Sequence, residues 1–320
     1  MTLTQLQYAL AVEEHLNFQR AADACHVAQP SLSVQLKKLE DSLGVTLFQR
    51  STNSGVTVTD MGRAVLEQAR FIFSETRKLE DICANFKNEA SGTLRVGVIP
   101  TIAPFLIPLF LGLLKKLHPN LNLELLEDST KVLIEELHFG RIDVAILSPP
   151  NKAPAHLKEK FLYYEPFMVY GNKGHPILDQ DDIKLSALSD YVVTLLDETH
   201  CMRDQVMAAC SKNKKSISET VLKQGSLQTL ISLVEAQNSF TLIPKLAEPV
   251  LCLKYPREGI RSIVAQTPYR KVSLVYNKNL VRKKLVDALH STIQASLPST
   301  VVKTRSPRGI VIEPAKSHFK

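Results

Sequence analysis

The chain has 320 residues, 44% of them hydrophobic and 22% charged, which is the composition of a globular protein. At about 100–200 residues per domain, that length predicts two domains, each able to bury its own core. A net charge of +7 favours an anionic partner without identifying one. No apolar run reaches the roughly 18 residues of a membrane span. The longest, Ala103 to Leu114, is interrupted by Pro104 and Pro108. Acidic Glu13 and Glu14 stand where a secretory leader would be apolar, so a cytoplasmic protein with no membrane partner is expected.

Residues 1–60 read as short helices followed by two small strands. Leu3, Leu6, Leu10 and Val12 stripe the first helix, and Asn17 is an N-cap for a second from Phe18 to about Ala24. Gln29-Pro30-Ser31 starts a third, since the amide hydrogen that proline lacks has no partner in a first turn anyway. Gly44 ends it. Val45–Phe48 and Val56–Val58 then predict strands around a turn at Asn53-Ser54-Gly55. That order of elements is a winged helix-turn-helix head. Residues 61–90 predict a long linker helix, with Met61, Val65, Ala69, Ile72, Thr76, Leu79, Cys83 and Phe86 spaced close to the 3.5-residue repeat of a dimer seam. A helix packed on its own domain is the alternative.

From residue 91 to 298 strands and helices alternate. Leu94–Ile99, Leu121–Leu126, Val144–Leu147, Phe167–Tyr170, Tyr191–Leu195, Phe240–Ile243 and Val272–Tyr276 read as strands. Helices are expected near Phe105–His118, Val132–Phe139, Leu227–Ala236 and Asn279–Ala295. The alternation predicts an α/β regulatory domain of two subdomains, with parallel sheets and a ligand crevice at their carboxyl edges. Residues 299–320 carry Lys303, Arg305, Arg308, Lys316 and Lys320 against Glu313, and read as a disordered basic tail.

The run from Phe18 to Arg50 closely resembles the head of LysR-type transcriptional regulators. The matching features are Ala21-Ala22, Gln29-Pro30-Ser31-Leu32-Ser33, Gln35, Leu39-Glu40, Leu43-Gly44 and Leu47-Phe48-Gln49-Arg50. The resemblance implies a fold with a linker helix and a two-part regulatory domain of the periplasmic-binding-protein type. It also implies DNA contacts from Phe18, Arg20, Gln29, Pro30, Ser31, Ser33, Gln35, Lys37, Lys38 and Arg50. Glutamine suits adenine, serine suits base or phosphate, and Arg50 on the wing suits phosphate or the minor groove. Residues 1–90 hold nine Lys/Arg against eleven Asp/Glu, so basic contacts must be local, with backbone and helix N-termini supplying others. Asn53-Ser54-Gly55 also departs from the family, which often has a basic residue in the wing.

Five scattered cysteines exclude a disulfide framework, and no paired Cys/His spacing supports a metal. Phosphate-loop, dinucleotide and nucleophile-elbow signatures are missing, so neither an enzyme nor a cofactor is expected. The informative segment is Thr199-His200-Cys201-Met202-Arg203-Asp204-Gln205-Val206-Met207-Ala208-Ala209-Cys210. With Val96–Leu106 and Thr241–Pro244, it resembles the hydrogen-peroxide-sensing members of the LysR-type family. Cys201 is then the peroxidatic cysteine and Cys210 the resolving one. Around them the resemblance and the local sequence gather Thr101, Thr130, His200, Arg203, Asp204 and Arg270 into a peroxide pocket. Cations near Cys201 favour its thiolate, and Lys212 lies near Cys210. Were the segment one helix, its cysteines would stand about 13–14 Å apart, too far for a disulfide without refolding.

The resemblance further implies a homodimer or homotetramer on double-stranded promoter DNA, controlling antioxidant genes. Its partners would be RNA polymerase, hydrogen peroxide as signal, and a thiol reductant such as glutaredoxin. The alternative is a regulator that binds a small metabolite or organic anion between its subdomains, with structural cysteines.

Overall fold

The structure is a computed structural model that describes residues 1–51, 55–85, 92–150, 154–210, 225–303 and 307–319. It forms two compact units, Met1–Phe86 and Lys87–Lys320. Among the described residues no helix is long and apolar enough to cross a membrane.

In the first unit α1 (Leu3–His15), α2 (Phe18–Ala24) and α3 (Gln29–Leu43) surround a core of Leu6, Ala9, Val12, Leu32, Leu36 and Leu39. Thr2 caps α1 through the amide of Gln5, whose side chain accepts from the Thr2 amide in return. Asn17 accepts from the Arg20 amide at 3.0 Å and starts α2 as expected. Ala21 and Ala22 are fully buried, and their small side chains let α2 lie close against its neighbours. α3 stops at Gly44, whose φ of +69° suits glycine.

The wing pairs β1 (Phe48–Ser51) with β2 (Gly55–Val58), Phe48 opposite Val58. Its first strand starts three residues later than the β-branched run 45–48 predicts. Glu40 of α3 explains the delay, because its Oε1 accepts the amides of Leu47 and Phe48 at 2.7 and 3.3 Å. Those bonds tie the connection to the helix before pairing begins. Asn53 and Ser54 of the expected turn lie outside the described residues.

The long helix α4 (Asp60–Asn85) opens on Thr59, whose hydroxyl accepts from the Gly62 amide and donates to the Thr46 carbonyl. Leu66 and Ala69 enter the head core, with Val65, Ile72 and Phe73 packed on it. The expected seam is therefore divided. Val65, Ala69 and Ile72 pack on their own head, whereas Met61 and Leu79 are 55% and 65% exposed. The Cys83 side chain and Phe86 lie outside the described residues.

The second unit begins with β3 (Gly92–Val98), α5 (Ala103–Leu117), β4 (Leu121–Glu127), α6 (Thr130–His138) and β5 (Val144–Leu147), whose strands are parallel in the order β4-β3-β5. The 15-residue strand β6 (Leu157–Gly171) then runs antiparallel to β10 (Pro268–Asn277), and β10 is also antiparallel to β5. The far half of β6 pairs antiparallel with β8 (Phe240–Pro244) and β9 (Ile260–Val264), and β7 (Asp182–Lys184) runs parallel to β9. The sheet is thus mixed, not the parallel sheets that alternation predicts, because β6 and β10 each return along it. Among the described residues the helices of the second half are α7 (Cys201–Cys210), α8 (Leu227–Ala236), the single turn α9 (Glu248–Leu251) and α10 (Lys283–Ser296). Tyr191–Leu195 is not a strand; it makes one bridge, Val193 to Phe240.

The tail is not the disordered end that its charge predicts. β11 (Ile310–Val311) pairs parallel with Pro268 and Tyr269 of β10, and the Ile312 amide donates to the Tyr269 carbonyl at 2.8 Å. Ile312 and Phe319 are buried, so apolar residues interspersed among the charges outweigh them. Arg305 and Lys320 lie outside the described residues.

A Cβ built on Gly62 would stand 2.3 Å from the Leu47 carbonyl oxygen, a backbone atom that has no room to swing away. Gly62→Ala is expected to cost the head about 1–3 kcal/mol. Thermal unfolding of the whole chain should show a lowered head transition, and an unchanged transition would contradict this close approach.

Candidate redox site and nucleic-acid interface

On the head, Arg20, Pro30, Ser31, Lys37 and Lys38 are exposed, and Gln29, Ser33 and Gln35 are half-buried. Two of the glutamines are held from below. Gln29 Nε2 donates to Ser33 Oγ at 2.8 Å, and Gln35 Oε1 accepts from Gln5 Nε2 at 3.1 Å. Bonds of this kind limit the rotamers that the α3 surface presents. Phe18 does not belong to that surface. It is buried, meeting the Phe48 ring edge-on at a centroid distance of 6.4 Å, and acts as a core residue joining α2 to the wing. Arg50 lies in β1 opposite Val56, its side chain outside the described residues.

Val34, not singled out from sequence, is 53% exposed on α3 between Ser33 and Gln35. An apolar residue there offers methyl contact of the sort that reads thymine. The available signal was its position off the Leu32, Leu36, Leu39 stripe.

In the second unit, β3 ends beside Ile99-Pro100-Thr101, Ser129 caps α6 through the Val132 amide, and α7 begins at Cys201. These three chain segments line one crevice: Ile99, Pro100, Thr101, Ser129, Thr130, Thr199, His200 and Cys201. The gaps between its lining atoms sum to about 170 Å³, but none of them is wide enough for a water molecule. Small-molecule pockets span roughly 300–1,000 Å³, so the crevice is closed in this structure and a ligand of any size needs its lining to part.

The structure therefore brings Thr101, Thr130, His200 and Cys201 together. Arg270 stands behind them, almost fully buried on β10. Its Nη1 donates to Thr101 Oγ1 and its Nη2 to the Thr101 carbonyl, both at 2.9 Å. Its Nε donates to Glu165 Oε2 at 2.8 Å, while Glu165 Oε1 accepts the Leu246 amide. Glu165 is a residue that sequence reading missed. A lone carboxylate in a strand pattern gives no sign that its partner lies 105 residues away. Burying this guanidinium unpaired would cost about 3–5 kcal/mol, so Glu165 makes the position of Arg270 tenable.

Arg203 and Asp204 lie outside the lining. Arg203 Nη1 donates to the Leu196 carbonyl at 3.1 Å, bracing the chain that leads into α7. Asp204 Oδ2 accepts from the Ala315 amide and pairs with His318 Nε2 at 2.8 Å. Gln205 Nε2 donates to Ser148 Oγ and to the Ile312 carbonyl, both at 3.0 Å.

The electrostatics differ from the sequence expectation. Burial pushes the Cys201 thiol upward, and a hydrogen bond from Thr130 and the charge of Arg270 only partly offset it. The Thr130 hydroxyl is buried and makes no hydrogen bond of ordinary geometry, so its proton is uncommitted beside the sulfur. His200 is not a cation here, because burial lowers its pKa more than Asp197 raises it. Cys210 is pushed up to about 12 by burial alone. Lys212 lies outside the described residues. Both cysteines are free thiols, one at each end of α7.

Residues 3–63 match the bacterial regulatory helix-turn-helix proteins of the lysR family, and residues 87–298 match the LysR substrate binding domain. The hydrogen peroxide-inducible genes activator of Dickeya chrysanthemi is 36% identical over 282 residues, 86% of this chain and 89% of that protein. The DNA-binding transcriptional dual regulator OxyR of Escherichia coli (strain K12) is 33% identical over 299 residues, 93% of this chain and 96% of its own. Among solved structures, a full-length OxyR variant from Pseudomonas aeruginosa matches with a TM-score of 0.74 at 32% identity, covering 96% of this chain and 99% of its own. A Corynebacterium glutamicum OxyR mutant with hydrogen peroxide bound matches with a TM-score of 0.61 at 34% identity, covering 92% of each chain. The chain belongs to the LysR family of bacterial regulators, a DNA-binding class and not an enzyme class. Within that family its similarity is to the OxyR proteins.

Thr130→Val keeps the shape of the crevice and removes the donor beside the sulfur. A hydrogen bond to a charged group is worth about 1.5–3 kcal/mol. Cys201 should therefore ionise at higher pH, and its iodoacetamide labelling at neutral pH should slow about tenfold or more. Labelling rates followed against pH by peptide mapping test this, and an unshifted profile would remove Thr130 from the site.

Proposed function

We propose that the chain is a hydrogen-peroxide-responsive transcriptional regulator whose signal is a Cys201–Cys210 disulfide. The observation that carries this reading is α7 itself, which begins at one buried free cysteine and ends at the other. The first of them lines a closed crevice with Thr101, Thr130 and His200. Its lining must part to admit even a molecule as small as peroxide, and a metabolite would need a far larger opening.

Peroxide binds against Thr101 and Thr130. The Cys201 thiol gives up its proton as its sulfur attacks one peroxide oxygen and the O–O bond breaks. The departing hydroxide takes up that proton and leaves as water, giving a sulfenic acid at Cys201. Hydroxide is a poor leaving group, so donors aimed at it matter most in the transition state. Arg270 positions Thr101 and adds positive charge nearby, while Arg203 and Asp204 act at one remove by holding the chain around α7. Cys210 then attacks the sulfenic sulfur, closing the disulfide and releasing a second water. Two thiols have supplied two electrons, and a dithiol reductant such as glutaredoxin restores them.

Nine helical steps separate the two Cα atoms by about 13–14 Å on opposite faces, whereas a disulfide needs about 7 Å or less. Closing it must unwind α7, which is how one covalent bond remodels the regulatory unit. The exposed α3 residues with Arg20 read a promoter major groove, with Val34 adding apolar contact, while Arg50 on the wing meets phosphate or the minor groove. Exposed Leu79 and Ile82 on α4, and Leu109, Leu117 and Leu125 on the regulatory unit, supply faces for assembly into a homodimer or homotetramer. RNA polymerase is the partner through which the bound regulator acts, in the cytoplasm.

Intact-mass and thiol-alkylation mapping before and after one equivalent of hydrogen peroxide tests the chemistry. The protein should lose two hydrogens with Cys201 and Cys210 blocked together. Cys201→Ser should abolish the reaction, and Cys210→Ser should stop it at a sulfenic acid that dimedone traps. Unchanged thiols in the unsubstituted protein would end the peroxide reading.

A further inference from the structure

The LysR substrate binding domain match ends at residue 298, yet the chain continues and folds back onto α7. Three attachments hold it. β11 pairs with Pro268 and Tyr269, immediately before Arg270 on β10. The Ile312 carbonyl accepts from Gln205, and the Ala315 amide and His318 ring bind the Asp204 carboxylate. The closing turn Lys316–Phe319 packs against α6, the helix that carries Thr130, and Phe319 enters the main core. His318 also lies near enough to His200 to depress its charging.

We propose that residues 310–319 form a latch that holds α7 helical in the reduced protein and so sets how readily the disulfide closes. The latch grips Asp204 and Gln205 in the middle of the ten residues that must unwind. It fastens them to β10 and α6, which supply Arg270 and Thr130 to the redox site. A helix of fewer than about 12 residues is marginal by itself, so α7 depends on such outside attachments. Gln205 is fully buried with its Oε1 unpartnered, so its side chain is held only through Nε2, and one of the two acceptors there belongs to the tail. As Cys210 attacks the Cys201 sulfenic acid and water leaves, the α7 turn bearing Asp204 and Gln205 must come away from the tail. The latch opposes that step and favours the return of α7 after the disulfide is reduced.

This inference rests on the redox reading above, and the test separates the two. Two variants are made in the full chain: His318→Ala, and a truncation ending at Pro307. Cys210 is 5% exposed, so its labelling rate in reduced protein reports the opening of α7 with no peroxide present. One lost hydrogen bond of ordinary strength raises that rate about fivefold in His318→Ala, and the truncation raises it further. The disulfide equilibrium in glutathione buffer should shift toward the oxidised form by a similar factor, and closure after peroxide should quicken. Unchanged labelling and an unchanged equilibrium in His318→Ala, which keeps the rest of the tail, would overturn the latch. Slower closure in both variants would also overturn it, since the tail would then be needed to build the site. A full-length protein that forms no disulfide at all fails the redox reading instead, whatever the labelling rates show.

Discussion

A ten-residue α-helix holds its ends about 13–14 Å apart, and no rotamer of the two terminal side chains closes that gap to disulfide distance. Everything else in the regulatory unit acts on that constraint. Cys201 and Cys210 are both buried, 2% and 5% exposed, and the crevice lined by Thr101, Thr130 and His200 lies at the Cys201 end of α7. Reaction at one sulfur therefore creates a demand that the helix cannot meet without giving up its form. In the proposed mechanism small chemistry becomes a large conformational change, because a packed helix has discrete states and does not bend gradually.

The site balances burial against donation. Burial alone would leave Cys201 as inert as Cys210, whose thiol has no compensating neighbour. Thr130, the charge of Arg270 and the backbone amide of Cys201 itself pull the other way at Cys201. Arg270 does this from inside the protein, where Glu165 neutralises much of its cost and fixes its direction toward Thr101. The two cysteines are thus distinguished by their surroundings and not by their chemistry. In the proposed mechanism Cys201 meets peroxide first, and Cys210 is held back until α7 opens.

Much of this was legible in the residues themselves. Asn17, Pro30 and Gly44 mark helix boundaries through chemistry local to the backbone, and the structure has those boundaries. Periodicity placed α8 and β5 to the residue. What escaped depended on contacts distant in sequence. Glu165 has meaning only beside Arg270, and Glu40 delays the wing strand only because the chain returns to it. Phe18, grouped with the DNA-contacting residues by family pattern, faces the core because the wing supplies Phe48 as its partner. Alternation of strands and helices suggested parallel sheets, since nothing local reveals that β6 and β10 run back across the whole sheet. Charge counting misjudged the tail for a related reason. Four buried or pairing residues, Ile310, Val311, Ile312 and Phe319, outweigh a solvated run of lysines and arginines.

Hydrogen exchange across residues 201–210, compared in the same protein before and after one equivalent of peroxide, tests the central claim most directly. The account predicts protected amides in the reduced form and loss of that protection through Arg203–Ala209 once the disulfide has formed. An α7 that kept its protection with Cys201 and Cys210 demonstrably joined would contradict it.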